Sequence, residues 1–397
     1  MGELRKPRFY QASIDEIRAG ETTDVYFVRT EQIIREAGLD RHVRAEFSIK
    51  GLPHDYPWAV FAGLEEVLAL LDGLDINVRG VREGTVIRPH QPIMEIEGSY
   101  LSFARLETAI LGLICEASGV ATKAARIRTF ARDRILASFG ARRMHPAIAP
   151  VIERAAFIGG CDGVSVVKSA RELGEDPTGT TPHALMLIVG DTVKAMQLFD
   201  DLVEPGAQRI ALIDTFEDEK FEAIRVAEAL GDRLNGVRLD TPGSRRGNFA
   251  QILREVRWEL DLRGFQHVRL LASGGLDERE VAALYDYVDG YGVGTSIANA
   301  RTIDFGMDIV EIEGRPVSKR GKMSGGKQVW RDPATLLDVV LPLGKGPEDS
   351  SPVSMLNPII ENGTLVDPVP DPHALRQFVL DQLAVVGGEI VPKNEDD

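Results

Sequence analysis

Three sets of side chains in this 397-residue chain have the types and settings that chemistry needs. The first is His183, which follows Gly179-Thr180-Thr181-Pro182. A histidine at the end of an extended segment can serve as a base, hold a phosphate, or accept a phosphoryl group on a ring nitrogen. A single histidine is more often structural; His42, His54, His90, His145, His267 and His373 lack a comparable setting. The second set is Asp214 and Asp240, each closing an apolar run. Two carboxylates facing one cavity can hold a magnesium ion that also binds substrate phosphates, or can hold ribose hydroxyls. The plainer alternative is that each caps the helix that follows it. Arg238 faces the same way as Asp240 or the opposite way depending on register. The third set is glycine-bearing: Ser273-Gly274-Gly275 and Gly292-Val293-Gly294-Thr295. Such ends let a phosphate rest on backbone N–H groups, because glycine permits close approach.

These residues need a scaffold that brings strand ends together. Seven apolar runs end in polar residues: 135–140, 163–165, 179–183, 210–215, 237–241, 270–275 and 291–295. Helical periods separate several of them, as at 221–230 and 249–262. This is the pattern of a parallel β/α barrel, whose site lies at the strand ends; no eighth strand is legible. The expected fold is α/β: an irregular barrel of about seven strands with a smaller β-rich α+β domain.

Domain limits follow from the change of pattern. Residues 1–120 read as the β-rich domain, 121–304 as the barrel, and 305–397 as a segment returning to the first domain. Within the first, Ser13 and Glu16 have capping-box spacing, and Asp24 reads as the cap of a helix stopped at Gly38, with Tyr26 as a packing residue. Alternation at 76–81 and 92–98 marks strands around a helix at 64–71. A helical stretch over 103–132 is expected to break at Ser118-Gly119-Val120-Ala121-Thr122. Strands are expected at 308–313 and 327–330, a turn at Asn362-Gly363, and a terminal helix over 372–385.

Composition narrows the class. The formal charge of −15 disfavours a nucleic-acid surface. Hydrophobic residues at 44% can fill a large core. Arginine outnumbers lysine 35 to 11, which suits phosphate ligands but also reflects base composition. Cys115 and Cys161 form neither a metal motif nor a disulfide framework. The first residues have no apolar signal core, and no stretch reads as a membrane span. A soluble, cytoplasmic protein is expected.

Taken in order, the motifs resemble those of the nicotinate phosphoribosyltransferases, in one superfamily with the nicotinamide and quinolinate enzymes. They are Thr23-Asp24-Val25-Tyr26, Ser118 to Thr122, Ser138-Phe139-Gly140-Ala141-Arg142-Arg143, Gly160 to Ser165, Gly179 to His183, Ile213-Asp214-Thr215, Arg238-Leu239-Asp240-Thr241, Ser273 to Asp277, Gly292 to Thr295 and Lys322-Met323-Ser324. The resemblance implies that nicotinate displaces pyrophosphate from 5-phosphoribosyl 1-pyrophosphate. It further implies that Phe139 and Tyr26 sandwich the pyridine ring, with Tyr26 donated by a second copy in a homodimer or larger homo-oligomer, and that Asp24 binds substrate. Arg142 and Arg238 would hold phosphates, Asp214 and Asp240 ribose or Mg2+, and Ser273, Gly274, Gly275, Gly294 and Thr295 the 5-phosphate. Thr180 lies in the motif of His183, which would be phosphorylated when ATP, as co-substrate, drives the reaction. Ser165 stands where nicotinamide-using relatives carry an aspartate, so its hydroxyl is expected to donate to a carboxylate. Val164 and Val166 flank it where relatives often carry threonine and asparagine. The quinolinate enzyme is the nearest rival; its Arg-Lys-Thr segment at the first barrel strand is here Phe-Gly-Ala-Arg-Arg, with an aromatic for stacking. A barrel that binds without catalysing is the alternative of another class.

Overall fold

Six of the apolar runs form parallel strands in the computed structural model, which describes residues 8–349 and 351–393. They are β1 (Ile135–Ser138), β2 (Gly163–Val164), β3 (Ile210–Leu212), β4 (Gly236–Leu239), β5 (Arg269–Ser273) and β6 (Gly290–Val293). They lie in the order β2-β1-β6-β5-β4-β3, every neighbouring pair parallel. Ala211, Leu212, Val237 and Leu239 are fully buried, as strands covered on both faces require. Helices such as Glu219–Leu230 and Phe249–Leu262 make the crossovers. The latter buries Phe249, Leu253, Val256 and Leu260, spaced to fall on one helical stripe.

The seventh expected strand does not form. Residues 175–182 are irregular, and His183 opens the helix His183–Val189 rather than ending a strand. The segment still occupies a strand's place between the two edges of the sheet. Thr178 N–H donates to the Val164 carbonyl of β2 at 2.8 Å. Thr181 Oγ1 donates to the Ile210 carbonyl and accepts from Leu212 N–H, both at 3.1 Å, so one side chain imitates a ladder with β3. This makes the barrel irregular.

The chain divides into two units, Met1–Ser118 with Thr302–Asp371, and Gly119–Arg301 with Pro372–Asp397. The segment 305–397 therefore does not return whole to the first unit. The helix Pro372–Val386 packs in the barrel unit, where Arg376 Nε donates to the Cys161 carbonyl at 2.8 Å and Leu375, Val379, Leu383 and Val386 are buried. In the first unit, seven antiparallel strands form one sheet. Its central strand is Pro92–Ser99, between His42–Gly51 and Ile76–Gly80. Lys327–Arg331 instead joins a separate three-stranded sheet.

The helix Glu107–Ala131 runs unbroken through 118–122, against expectation. Ser118 Oγ accepts from Ala62 N–H at 2.9 Å, and Val120, Ala121 and Thr122 are buried, so packing outweighs the weak local propensity. By length and composition Tyr100–Ala131 is also apolar enough to cross a membrane, contrary to the sequence reading. Of that apolar window 61% is buried inside the protein, the position of a core helix. Both cysteines are free, and burial pushes the Cys161 thiol up to about 12.

Candidate active site

A cavity of about 720 Å³ opens at the C-terminal ends of the barrel strands, within the size range of small-molecule sites. Phe139 and Arg142 border it after β1, Ser165 after β2, Arg238 and Asp240 on and after β4, Ser273 to Gly275 on β5 and after it, and Gly294 and Thr295 after β6. Thr180 and His183 border it from the irregular segment. Sequence-distant groups thus meet because parallel strands all end on one side.

Phe139 continues the β1 ladder, its N–H donating to the Val293 carbonyl at 2.8 Å. Its ring lies on Gly292, where an added Cβ would come within 2.3 Å of two ring carbons. Only glycine fits there, so the residue under the ring sets its place. The loop after β5 is similarly demanding. Gly274 has φ +85°, and a Cβ there would lie 2.7 Å from Asp240 Oδ1. Arg246 fastens this loop from the side: Nε donates to the Thr241 carbonyl at 3.0 Å, and one terminal nitrogen donates to the carbonyls of Ser273, at 3.1 Å, and Gly274.

The charged groups are interlocked. Asp240 Oδ1 accepts from Ser273 Oγ at 2.8 Å, and Oδ2 lies 3.8 Å from Arg238. Arg238 also donates to Ser273 Oγ and to the Thr181 carbonyl, each at 3.3 Å. Burial pulls the Arg238 guanidinium below its ordinary value, while Asp240 and Asp214 oppose that shift. Asp214 does not border the cavity directly; its Oδ2 lies 3.3 Å from His183 Nε2. Burial raises the Asp214 carboxyl above its usual range, with His183 pulling it back. Asp214 Oδ1 is buried and has no hydrogen-bond partner among the described residues. An unused carboxylate oxygen suits a cation or a hydroxyl donor. Among the described residues no three metal-binding side chains cluster, so a cation here would depend on substrate oxygens as well.

Two expected residues lie elsewhere. Asp24 and Tyr26 belong to the first unit and do not line the cavity. Asp24 occupies the cap position of Val25–Glu36, but its Oδ2 accepts from Thr108 Oγ1 at 3.2 Å instead of capping. Tyr26 is 56% exposed, not a core packing residue. Ser165 lines the cavity, yet its hydroxyl donates to Glu153 Oε1 at 2.8 Å, so the expected donation to a substrate carboxylate does not follow from this arrangement. Sequence reading missed Glu153 and Arg246. Both sit in helices where a charged residue is ordinarily on the surface, and no local motif distinguishes them.

Comparison with known proteins agrees with this architecture. Residues 24–118 match the family model for the N-terminal domain of quinolinate phosphoribosyl transferase, and residues 120–308 the model for its C-terminal domain. A nicotinate phosphoribosyltransferase of Mycobacterium tuberculosis is 32% identical over 334 residues, covering 79% of this chain and 72% of that protein. The crystal structure of a nicotinate-nucleotide pyrophosphorylase from Pyrococcus furiosus is 49% identical, with a TM-score of 0.93 over 97% of this chain and all of that one. The human nicotinic acid phosphoribosyltransferase structure is 19% identical with a TM-score of 0.73, a likeness of fold.

Proposed function

We propose that this chain, which belongs to the type II phosphoribosyltransferase superfamily of the quinolinate and nicotinate enzymes, joins nicotinate to 5-phosphoribosyl 1-pyrophosphate, giving nicotinate mononucleotide and pyrophosphate for NAD synthesis in the cytoplasm. The observation that carries this reading is the cavity itself: an aromatic ring fixed on Gly292, arginines at 142 and 238, and two glycine-bearing loops face one space. The pyridine nitrogen attacks C1 of the ribose, and the C1–O bond to pyrophosphate breaks with its electron pair leaving on oxygen. Charge develops on both fragments, so the protein acts by positioning and by electrostatic stabilisation.

In this reading Phe139 stacks on the pyridine ring. The backbone at Gly274, Gly275, Gly294 and Thr295, with Ser273, holds the 5-phosphate, while Arg142 and Arg238 meet the anionic groups. Asp214 and Asp240 hold Mg2+ or ribose hydroxyls; the ion supplies charge neutralisation to the pyrophosphate. ATP enters as a co-substrate: its γ-phosphoryl group passes to a ring nitrogen of His183 as the bond to the bridging oxygen breaks and ADP leaves, and water later takes the group from the histidine as phosphate. Because Nε2 faces Asp214, the nitrogen left for this step is Nδ1. Asp24 and Tyr26 act in the cavity of a second copy.

A quinolinate reading is kept by the family models that match, which bear that enzyme's name. One assay separates the two. Purified protein with phosphoribosyl pyrophosphate and magnesium is given nicotinate, quinolinate or nicotinamide, each with and without ATP. The proposal requires nicotinate to be preferred. Preferred turnover of quinolinate, with release of carbon dioxide, would replace it.

A further inference from the structure

Glu153 lies within the helix Ala149–Ile158 and is fully buried. A buried carboxylate needs donors, and the end of β2 provides them. That strand is two residues long, so the N–H groups just beyond it lack a ladder partner. Glu153 supplies one: Oε1 accepts from Ser165 N–H and Oε2 from Val166 N–H, both at 2.9 Å. The same Oε1 lies 2.8 Å from Ser165 Oγ. Backbone N–H groups only donate, so both carboxylate oxygens are acceptors here. A serine hydroxyl has one proton, and Glu153 takes it. Ser165 Oγ therefore offers the cavity lone pairs only.

This reverses what the residue type suggests. A substrate carboxylate placed at Ser165 would meet an acceptor oxygen with a buried anion behind it. A donor, such as an amide NH2 or a ribose hydroxyl, would be received. We infer that Glu153 is a specificity-determining positioning residue: it fixes the turn at Ser165 and Val166 and makes this end of the cavity select hydrogen-bond donors. The carboxylate of a pyridine acid is then held elsewhere in the cavity, among Arg142, Arg143 and Arg238, which also line it. The inference rests on the nicotinate reading above and names how that substrate is oriented.

Two variants test it by sign. Glu153→Gln removes the charge behind Ser165 in either amide orientation, although its single oxygen can serve only one of the two backbone N–H groups; with NH2 in the Oε1 place it also donates to Ser165 Oγ and frees the hydroxyl proton for the cavity. The kcat/KM ratio of nicotinate to nicotinamide should rise about tenfold, the size of a hydrogen bond to a charged group. Ser165→Ala removes the acceptor and should raise the same ratio about threefold, through a loss on the amide side. Thermal unfolding reports whether each variant is folded. A ratio that falls or stays within about twofold in either folded variant overturns the inference, because a serine donating to nicotinate predicts a fall. If Glu153→Gln does not fold, Ser165→Ala decides alone. A parent that turns over neither pyridine fails the proposed function instead, which keeps the two failures apart.

Discussion

His183 borders the cavity, and its Nε2 lies 3.3 Å from an Asp214 carboxylate that solvent barely reaches. A carboxylate that engages one ring nitrogen leaves the other for a phosphoryl group, which suits a phosphoryl acceptor. His183→Ala should therefore abolish ATP hydrolysis and ATP stimulation while leaving a slow ATP-independent transfer. Equal stimulation by ATP in variant and parent would return His183 to a binding role. The sequence marked His183, Asp214, Asp240 and Arg238 individually, since each closes or sits in an apolar run. It did not mark the pair His183 and Asp214, because 31 residues separate them and only the fold brings them together. Glu153 was invisible for a different reason: a glutamate inside a helix usually faces water, and nothing in its neighbours announces a carboxylate that replaces a strand.

The segment 175–182 shows what sequence pattern can and cannot give at the scale of an element. Gly179-Thr180-Thr181-Pro182 has strand-forming threonines, and the barrel pattern calls for a strand there. Yet proline has no N–H to donate and glycine resists a regular ladder, so the chain stays irregular. Thr181 makes up part of the pairing through its side chain. Thr181→Val keeps the shape but removes both bonds to β3 and leaves Leu212 N–H without its acceptor. The expected cost is about 1–3 kcal/mol of stability, read from denaturant unfolding. KM for the substrates should rise as well, because the Thr181 carbonyl also receives Arg238. A variant as stable as the parent would show that the backbone, not this side chain, holds the segment. The long helix through 118–122 is the converse case. Its glycine and β-branched residues suggest a break, and burial with the Ser118 bond to Ala62 removes it.

Across the whole molecule, every residue that lines the cavity falls between Phe139 and Ser296, in the barrel unit alone. Phe139 thus supplies one face for a stacked ring, and the cavity's own chain offers no second aromatic among its lining residues. Tyr26 is the candidate for the other face, being exposed on the first unit beside Asp24. If a second copy presents it, damage to Tyr26 and damage to Arg142 fall in different sites of a mixed dimer. Each single variant, Tyr26→Ala and Arg142→Ala, should be nearly inactive by itself. In an equal mixture, about half of re-formed dimers are mixed, and each has one intact site and one doubly damaged site, so activity should return to about a quarter of the parent's. Native mass spectrometry counts the mixed dimers independently of activity. Mixed dimers that form in that proportion and remain as inactive as the single variants would exclude a shared site, and Tyr26 would then serve only the surface on which it lies.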